Sequence, residues 1–210
     1  MIPGLGPTTD TIPHRRQQPM TVLQIMPEDE PDVVSLRTTD LEKIVAELAP
    51  LGVTLDRWDA DAELADDADQ DAVLAAYREQ VEQLSAEGGY QVVDVVRLRP
   101  DDSDPEWPAK ARAARTKFLD EHTHDEDEVR FFVEGTGCFY LHADGRVYAV
   151  VCSTGDLLSV PRGTTHWFDM GERPRFTSIR FFQGEDGWVG NFTRDSIASR
   201  FPSLDALLAE

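Results

Sequence analysis

The chain is poor in cysteine, with only Cys138 and Cys152 among 210 residues. A disulfide framework is thereby excluded as a source of stability. Both are expected as buried or half-buried thiols in neighbouring strands, where oxidation to each other stays open. Positive charge is also scarce: 20 Lys and Arg stand against 40 Asp and Glu, a formal net charge of -20. Such a surface repels nucleic acid and anionic membranes, so neither is an expected partner. No apolar run reaches the roughly 18 residues that a membrane-spanning helix needs. The N-terminus lacks a charged segment followed by a long apolar one, which makes the cytoplasm the expected compartment. Neither a glycine fingerprint for a flavin or nicotinamide nor a repeat is present. The Asp-rich stretch 65–71 lacks the glycine of a calcium-binding EF-hand loop, and reads as an exposed turn feeding a helix.

What is present suffices for one substantial core. Residues 1–19 are rich in Pro, Gly and Thr without an apolar period, which predicts a disordered leader ahead of a single domain over 20–210. Helical spacing puts Leu41, Ile44, Val45 and Leu48 on one face, with Thr39 or Asp40 as cap and Pro50 and Gly52 as terminators. A second helix is expected over 71–86, carrying Val73, Leu74, Tyr77, Val81 and Leu84 and ended by Gly88 and Gly89. A short basic helix, 109–117, should complement acidic neighbours. Strands are expected at 21–26, 53–58, 90–98 and 175–182, and a terminal helix at 203–209.

The chemistry concentrates between Phe118 and Met170, which holds both cysteines and four of the five histidines. In E-H-T-H-D-E-D-E-V-R, His122 and His124 are two apart, so on an extended strand both point the same way. Glu128 and Arg130 share that parity, although the acidic run between implies a bend. T-G-D-L-L-S-V-P-R-G-T-T-H-W-F then gives a turn, an apolar strand, a tight Pro/Gly turn and a strand bearing His166. Between them, two apolar runs meet at Asp144-Gly145, which suits a type I' hairpin. Three imidazoles and one carboxylate, His122, His124, Glu128 and His166, form a ligand set for a divalent first-row metal with two octahedral positions free. Zinc usually takes a smaller tetrahedral set, so iron or nickel is the expected ion. His14 lies in the tail, and His142 fits neither half of the pattern.

These residues resemble the two motifs of the cupin superfamily. H-x-H-x3-E-x6-G is met by His122, His124, Glu128 and Gly135, and G-x5-P-x-G-x2-H by Gly155, Pro161, Gly163 and His166. Thr116 and Met170 depart from it where glycine and asparagine are common; neither position supplies a ligand. The flanking K-F-L-D-E-H-T-H-D-E-D-E-V-R-F-F-V-E-G and V-P-R-G-T-T-H-W-F-D-M-G look like the acireductone dioxygenase family. The resemblance implies a mainly β fold with packed helices, a cupin-type β-barrel or double-stranded β-helix. It also implies one Fe(II) or Ni(II) per chain and oxygen-dependent cleavage of an acireductone in methionine salvage. Arg130 would meet the anionic substrate, and Phe118, Phe168 and Trp188, core residues by default, would shape a pocket for its methylthio tail. The only partners expected are that small molecule and O2, on a monomeric chain. Another metal-dependent cupin enzyme and a non-catalytic ligand-binding cupin are the alternatives.

Overall fold

The computed structural model of the chain describes residues 20–184 and 189–209. The expected leader and Trp188 lie outside the described residues. In chain order the elements are β1 (Val22–Pro27), β2 (Leu36–Thr38), α1 (Leu41–Leu48), β3 (Thr54–Arg57), α2 (Gln70–Ala76), α3 (Arg78–Gly88), β4 (Val92–Leu98) and α4 (Trp107–Leu119). There follow β5 (His122–Thr123), β6 (Glu128–Ala143), β7 (Arg146–Ser153), β8 (Asp156–Val160), β9 (Thr165–Asp169), β10 (Phe176–Phe182), β11 (Asn191–Phe192) and α5 (Leu204–Ala209). Among the described residues no helix is long and apolar enough to cross a membrane.

The 16-residue β6 organises the molecule by serving two antiparallel sheets. Its first half pairs with β8 and β10, and its second half with β7 and β9. One sheet runs β11-β5-β9-β6-β7-β1-β2, while β4-β10-β6-β8-β3 forms the other. Gly135 marks the crossover, at φ +73, where an added Cβ would lie 1.9 Å from the Arg175 carbonyl oxygen. Only glycine accommodates both the left-handed backbone and that approach. At the far end of β6, Asp144 and Gly145 take φ 52 and 71, as the two-residue hairpin requires.

Alternation along the strands divides the core in three. Phe132, Phe139, Leu141, Val150, Leu158 and Phe176 face the space between the sheets. Cys138, Tyr140 and Trp167 face out under the C-terminal segment with Leu204 and Leu207. Val129, Phe131, Ile179 and Phe181 back onto Val73 and Tyr77. Each fully buried large apolar side chain contributes about 1.5 to 3 kcal/mol, so the barrel has a core independent of any bound ion.

Several local expectations change. Asp40 caps α1 through Glu42 N and Lys43 N, but Val45 is 39 % exposed and lies off the buried face. The helix expected over 71–86 is two, broken at Tyr77, where a non-helical backbone turns the buried ring edge-on to Phe131 at 5.4 Å. The basic helix starts earlier, at Trp107 with Pro108 in its first turn, and reaches Leu119. Cys138 and Cys152 are free and belong to clusters on opposite faces of one sheet, so they cannot pair.

Candidate metal centre

β5 is only two residues long, so strand alternation does not carry His124; the acidic turn 125–127 takes over at that point. Other contacts do the positioning. His122 pairs with His166 across β5 and β9, and Glu128 opens β6 opposite Val160. All four side chains are buried, and their candidate donor atoms lie within 4.8 Å of one another.

Each imidazole presents Nδ1 to a backbone carbonyl: His122 to Asp120 at 2.7 Å, His124 to Val189 at 2.8 Å and His166 to Thr164 at 2.8 Å. A carbonyl only accepts, so in each neutral ring the proton sits on Nδ1 and Nε2 is left with a lone pair. His166 Nε2 nevertheless lies 2.7 Å from Glu128 Oε2, and His124 Nε2 lies 3.3 Å from the same oxygen. Two acceptors at such range require a cation to share. The donor set therefore fits a divalent metal ion, held by three imidazoles and one carboxylate oxygen.

The electrostatics point the same way. Burial, with the His166 ring beside it, pushes His122 down to about 4, which keeps it neutral. Burial also disfavours the charged form of His124, but Glu128 outweighs it and raises that group; the proton so attracted is what a bound metal displaces. Burial would raise Glu128, yet the Arg130 guanidinium, followed by His166 and His124, holds it well below the usual range.

Arg130 stands on β6 beside the ligands, with NH2 2.6 Å from Glu128 Oε1. The two oxygens of Glu128 thus divide, Oε1 to the guanidinium and Oε2 to the imidazoles. Burial pushes Arg130 down to about 10, partly offset by Glu128, so it stays charged at neutral pH. Its NH1 is buried without a hydrogen-bond partner.

A cleft opens beside the ligands, lined at one end by His122, Glu128, Arg130 and Arg180 and elsewhere by Phe118, Phe168, Met170 and Phe176. Phe118 reaches it from α4 and Phe168 from β9. Arg180, Ser178 and Phe176 alternate onto the cleft face of β10, so this wall grades from charge to apolar over four residues, roughly 13 Å. Arg180 sits opposite Arg130 in the β6–β10 register. Like charges directly opposite are unfavourable; here Asp94 grips Arg180 through Nε at 2.6 Å and through NH2. Arg180, Ser178, Val96 and Phe176 escaped the sequence reading. The signal was present: V-V-D-V-V and S-I-R-F-F each carry one charge in an apolar strand, of opposite sign.

His142 stands apart, bridging Glu121 Oε1 at 2.7 Å and Glu28 Oε2 at 2.8 Å. Burial opposes its charge, but the two carboxylates prevail and raise its pKa. A raised folded pKa contributes stability that is full below the unfolded value near 6.5 and fades as pH rises through the folded one. His142→Gln should therefore cost about 1.5 kcal/mol at pH 6, discounted for the exposed Glu28. Thermal melts of both proteins should converge by pH 9; a pH-independent difference would refute the charged bridge.

Comparison with known proteins agrees with this geometry. A family model described as the ARD/ARD' family matches residues 22–190. The chain is 60 % identical over 189 residues to acireductone dioxygenase 1 of Nocardia farcinica, covering 90 % of this chain and 100 % of that protein. It is 56 % identical to the acireductone dioxygenase of Parvibaculum lavamentivorans, covering 89 % and 98 %. A solved acireductone dioxygenase from Bacillus anthracis, with a cadmium ion in its active centre, superimposes with a TM-score of 0.67 at 28 % identity, covering 82 % of this chain and 98 % of that one. With the double-stranded β-helix, the buried His122, His124, Glu128 and His166 group and a match spanning most of its length, the chain belongs to the ARD/ARD' family, that of the acireductone dioxygenases.

Proposed function

We propose that the chain, through one domain spanning 20–210, cleaves 1,2-dihydroxy-5-(methylthio)pent-1-en-3-one with O2 in methionine salvage. Iron(II) or nickel(II), held by His122, His124, Glu128 and His166, would supply Lewis acidity toward the ene-diol oxygens and a template for their reaction with O2. The expected products are formate and 4-methylthio-2-oxobutanoate from the iron form, and formate, carbon monoxide and 3-(methylthio)propanoate from the nickel form. An ene-diol is electron-rich enough to reduce O2 itself, which accounts for the lack of a flavin or nicotinamide motif.

The chain's own residues prepare that chemistry. Arg130 and Arg180 place two guanidinium groups at the charged end of the cleft, where they favour loss of the substrate's protons. The unpartnered Arg130 NH1 is a free donor for a substrate oxygen. Phe118, Phe168, Met170 and Phe176 keep water from the other end and suit a thioether through sulfur-aromatic contact. One observation carries the reading: a metal-ligand set with its Nδ1 atoms pinned by main-chain carbonyls stands at the charged end of a cleft that becomes apolar.

Oxygen consumption with synthetic acireductone, after loading the apoprotein with iron(II), tests it. Stoichiometric uptake with formate release is expected. No uptake by fully metallated protein would favour a non-catalytic cupin and end the proposal.

A further inference from the structure

Gly137 lies inside β6, paired with Cys152 of β7. It is absent from the positions of left-handed backbone, so nothing in its own conformation requires glycine. Within a strand, glycine gives up side-chain packing and costs backbone entropy. Its reason is a close approach. A Cβ built on Gly137 would lie 2.4 Å from Phe168 Cζ, 2.7 Å from Cε2 and 3.3 Å from Phe132 Cε1. The Phe168 ring rests on the bare backbone of the neighbouring strand.

Other rings confine it. Phe168 packs against Phe139 at 4.9 Å, Phe176 at 5.8 Å and Phe132 at 6.5 Å between centroids. Its remaining side lines the cleft. Carbon atoms pack at about 3.5 to 4.0 Å, so any side chain at 137 would drive the ring more than about 1 Å from its seat. Three of its boundaries are aromatic groups that are themselves buried, and the cleft is the direction left open.

We propose that Gly137 is a specificity-determining position: lacking a side chain, it seats the Phe168 ring and so sets the width of the cleft where the substrate's apolar tail lies. This rests on the proposed function, since it supposes a substrate with its ene-diol at the metal and its tail among the rings. Gly137 touches no ligand residue, so its effect falls on tail selection and spares the metal. It acts through Phe168 and is a positioning residue.

The test uses metal-loaded enzyme and a series of 1,2-dihydroxy-1-en-3-ones whose tails lengthen by one methylene at a time. Gly137→Ala should keep full metal content and turn over the shortest member within about twofold of wild type. For the methylthioethyl tail, kcat/KM should fall on the order of 10-fold or more, the effect of about one methylene of lost pocket space. Gly137→Ala/Phe168→Leu should recover the longer tails, because removing the ring's edge returns the space. A loss equal for all tails, or unrepaired in the double variant, would place the strain elsewhere and overturn the inference. If Gly137→Ala alone does not accumulate as folded protein, the double variant decides by the same series: acceptance of the methylthioethyl tail supports the seat, and failure to fold or to accept it refutes it. Wild-type turnover with a parallel Gly137→Ala profile would overturn this inference alone, whereas no oxygen uptake by the wild type with any tail would overturn the proposed function and this inference with it.

Discussion

Glu128→Ala should strip the metal and abolish oxygen consumption, and it should destabilise the apoprotein more than His124→Ala does. The carboxylate has two tasks, one per oxygen. Oε2 meets the imidazoles where the ion would sit, and Oε1 neutralises Arg130. Loss of a group that merely orients a metal ligand typically costs 10 to 100-fold in affinity, so loss of a ligand should exceed about 100-fold. Removing one member of a buried ion pair also strands its partner, at about 3 to 5 kcal/mol. Arg130 would remain buried and charged, with Arg180 beside it. His124→Ala removes the Nδ1 bond to the Val189 carbonyl and a longer, 3.3 Å contact from Nε2 to Glu128, but leaves the 2.6 Å Arg130–Glu128 pair intact, so its cost without metal should be smaller. Elemental analysis and melts of both apoproteins check the two halves separately. Unchanged stoichiometric metal in both variants would refute the ligand assignment, and equal melting temperatures would refute the dual task of Glu128.

The ligand set was legible because its spacing is local. Gly135, Gly155, Pro161 and Gly163 punctuate the chain where the backbone must turn, and the interval between punctuation and ligand survives in the sequence. The Asp144-Gly145 hairpin was legible for the same reason. What escaped depends on contacts across long separations. The carbonyl that fixes the His124 tautomer belongs to Val189, 65 residues away. Arg180 reaches the cleft because β10 lies between β4 and β6, a strand order that no local pattern encodes. The helix break at Tyr77 has no proline or glycine to announce it; a buried ring outweighs helical continuity there. Alternation did place Glu128 and Arg130 on one face, but not the ion pair that makes the arginine part of the ligand system.

That pair makes Arg130→Ala the more informative variant. At neutral pH it should retain its metal, because all four donor side chains remain. Its catalytic efficiency should drop on the order of 10 to 150-fold, the value of a charge-assisted hydrogen bond of roughly 1.5 to 3 kcal/mol. The unpartnered NH1 makes such a bond available to a substrate oxygen as it loses its proton. Part of the activity should return as pH rises, since the free ene-diol then ionises without a neighbouring cation. A second effect runs through Glu128. Arg130 is the strongest influence holding that carboxyl down against burial, so in the variant its pKa climbs and protons compete with metal at higher pH. Metal retention should therefore fail on acidification sooner than in wild type, whatever the substrate does. Arg130→Lys should recover the metal's acid tolerance more fully than the rate, because an ammonium keeps the charge but not the planar fork that serves Glu128 and the substrate together. Chelator competition from pH 8 to pH 5 reads the metal retention, and pH profiles of kcat/KM read the rate. Near-wild-type kinetics for Arg130→Ala across that range would confine Arg130 to neutralising Glu128, and an unshifted acid limit for metal retention would deny it even that.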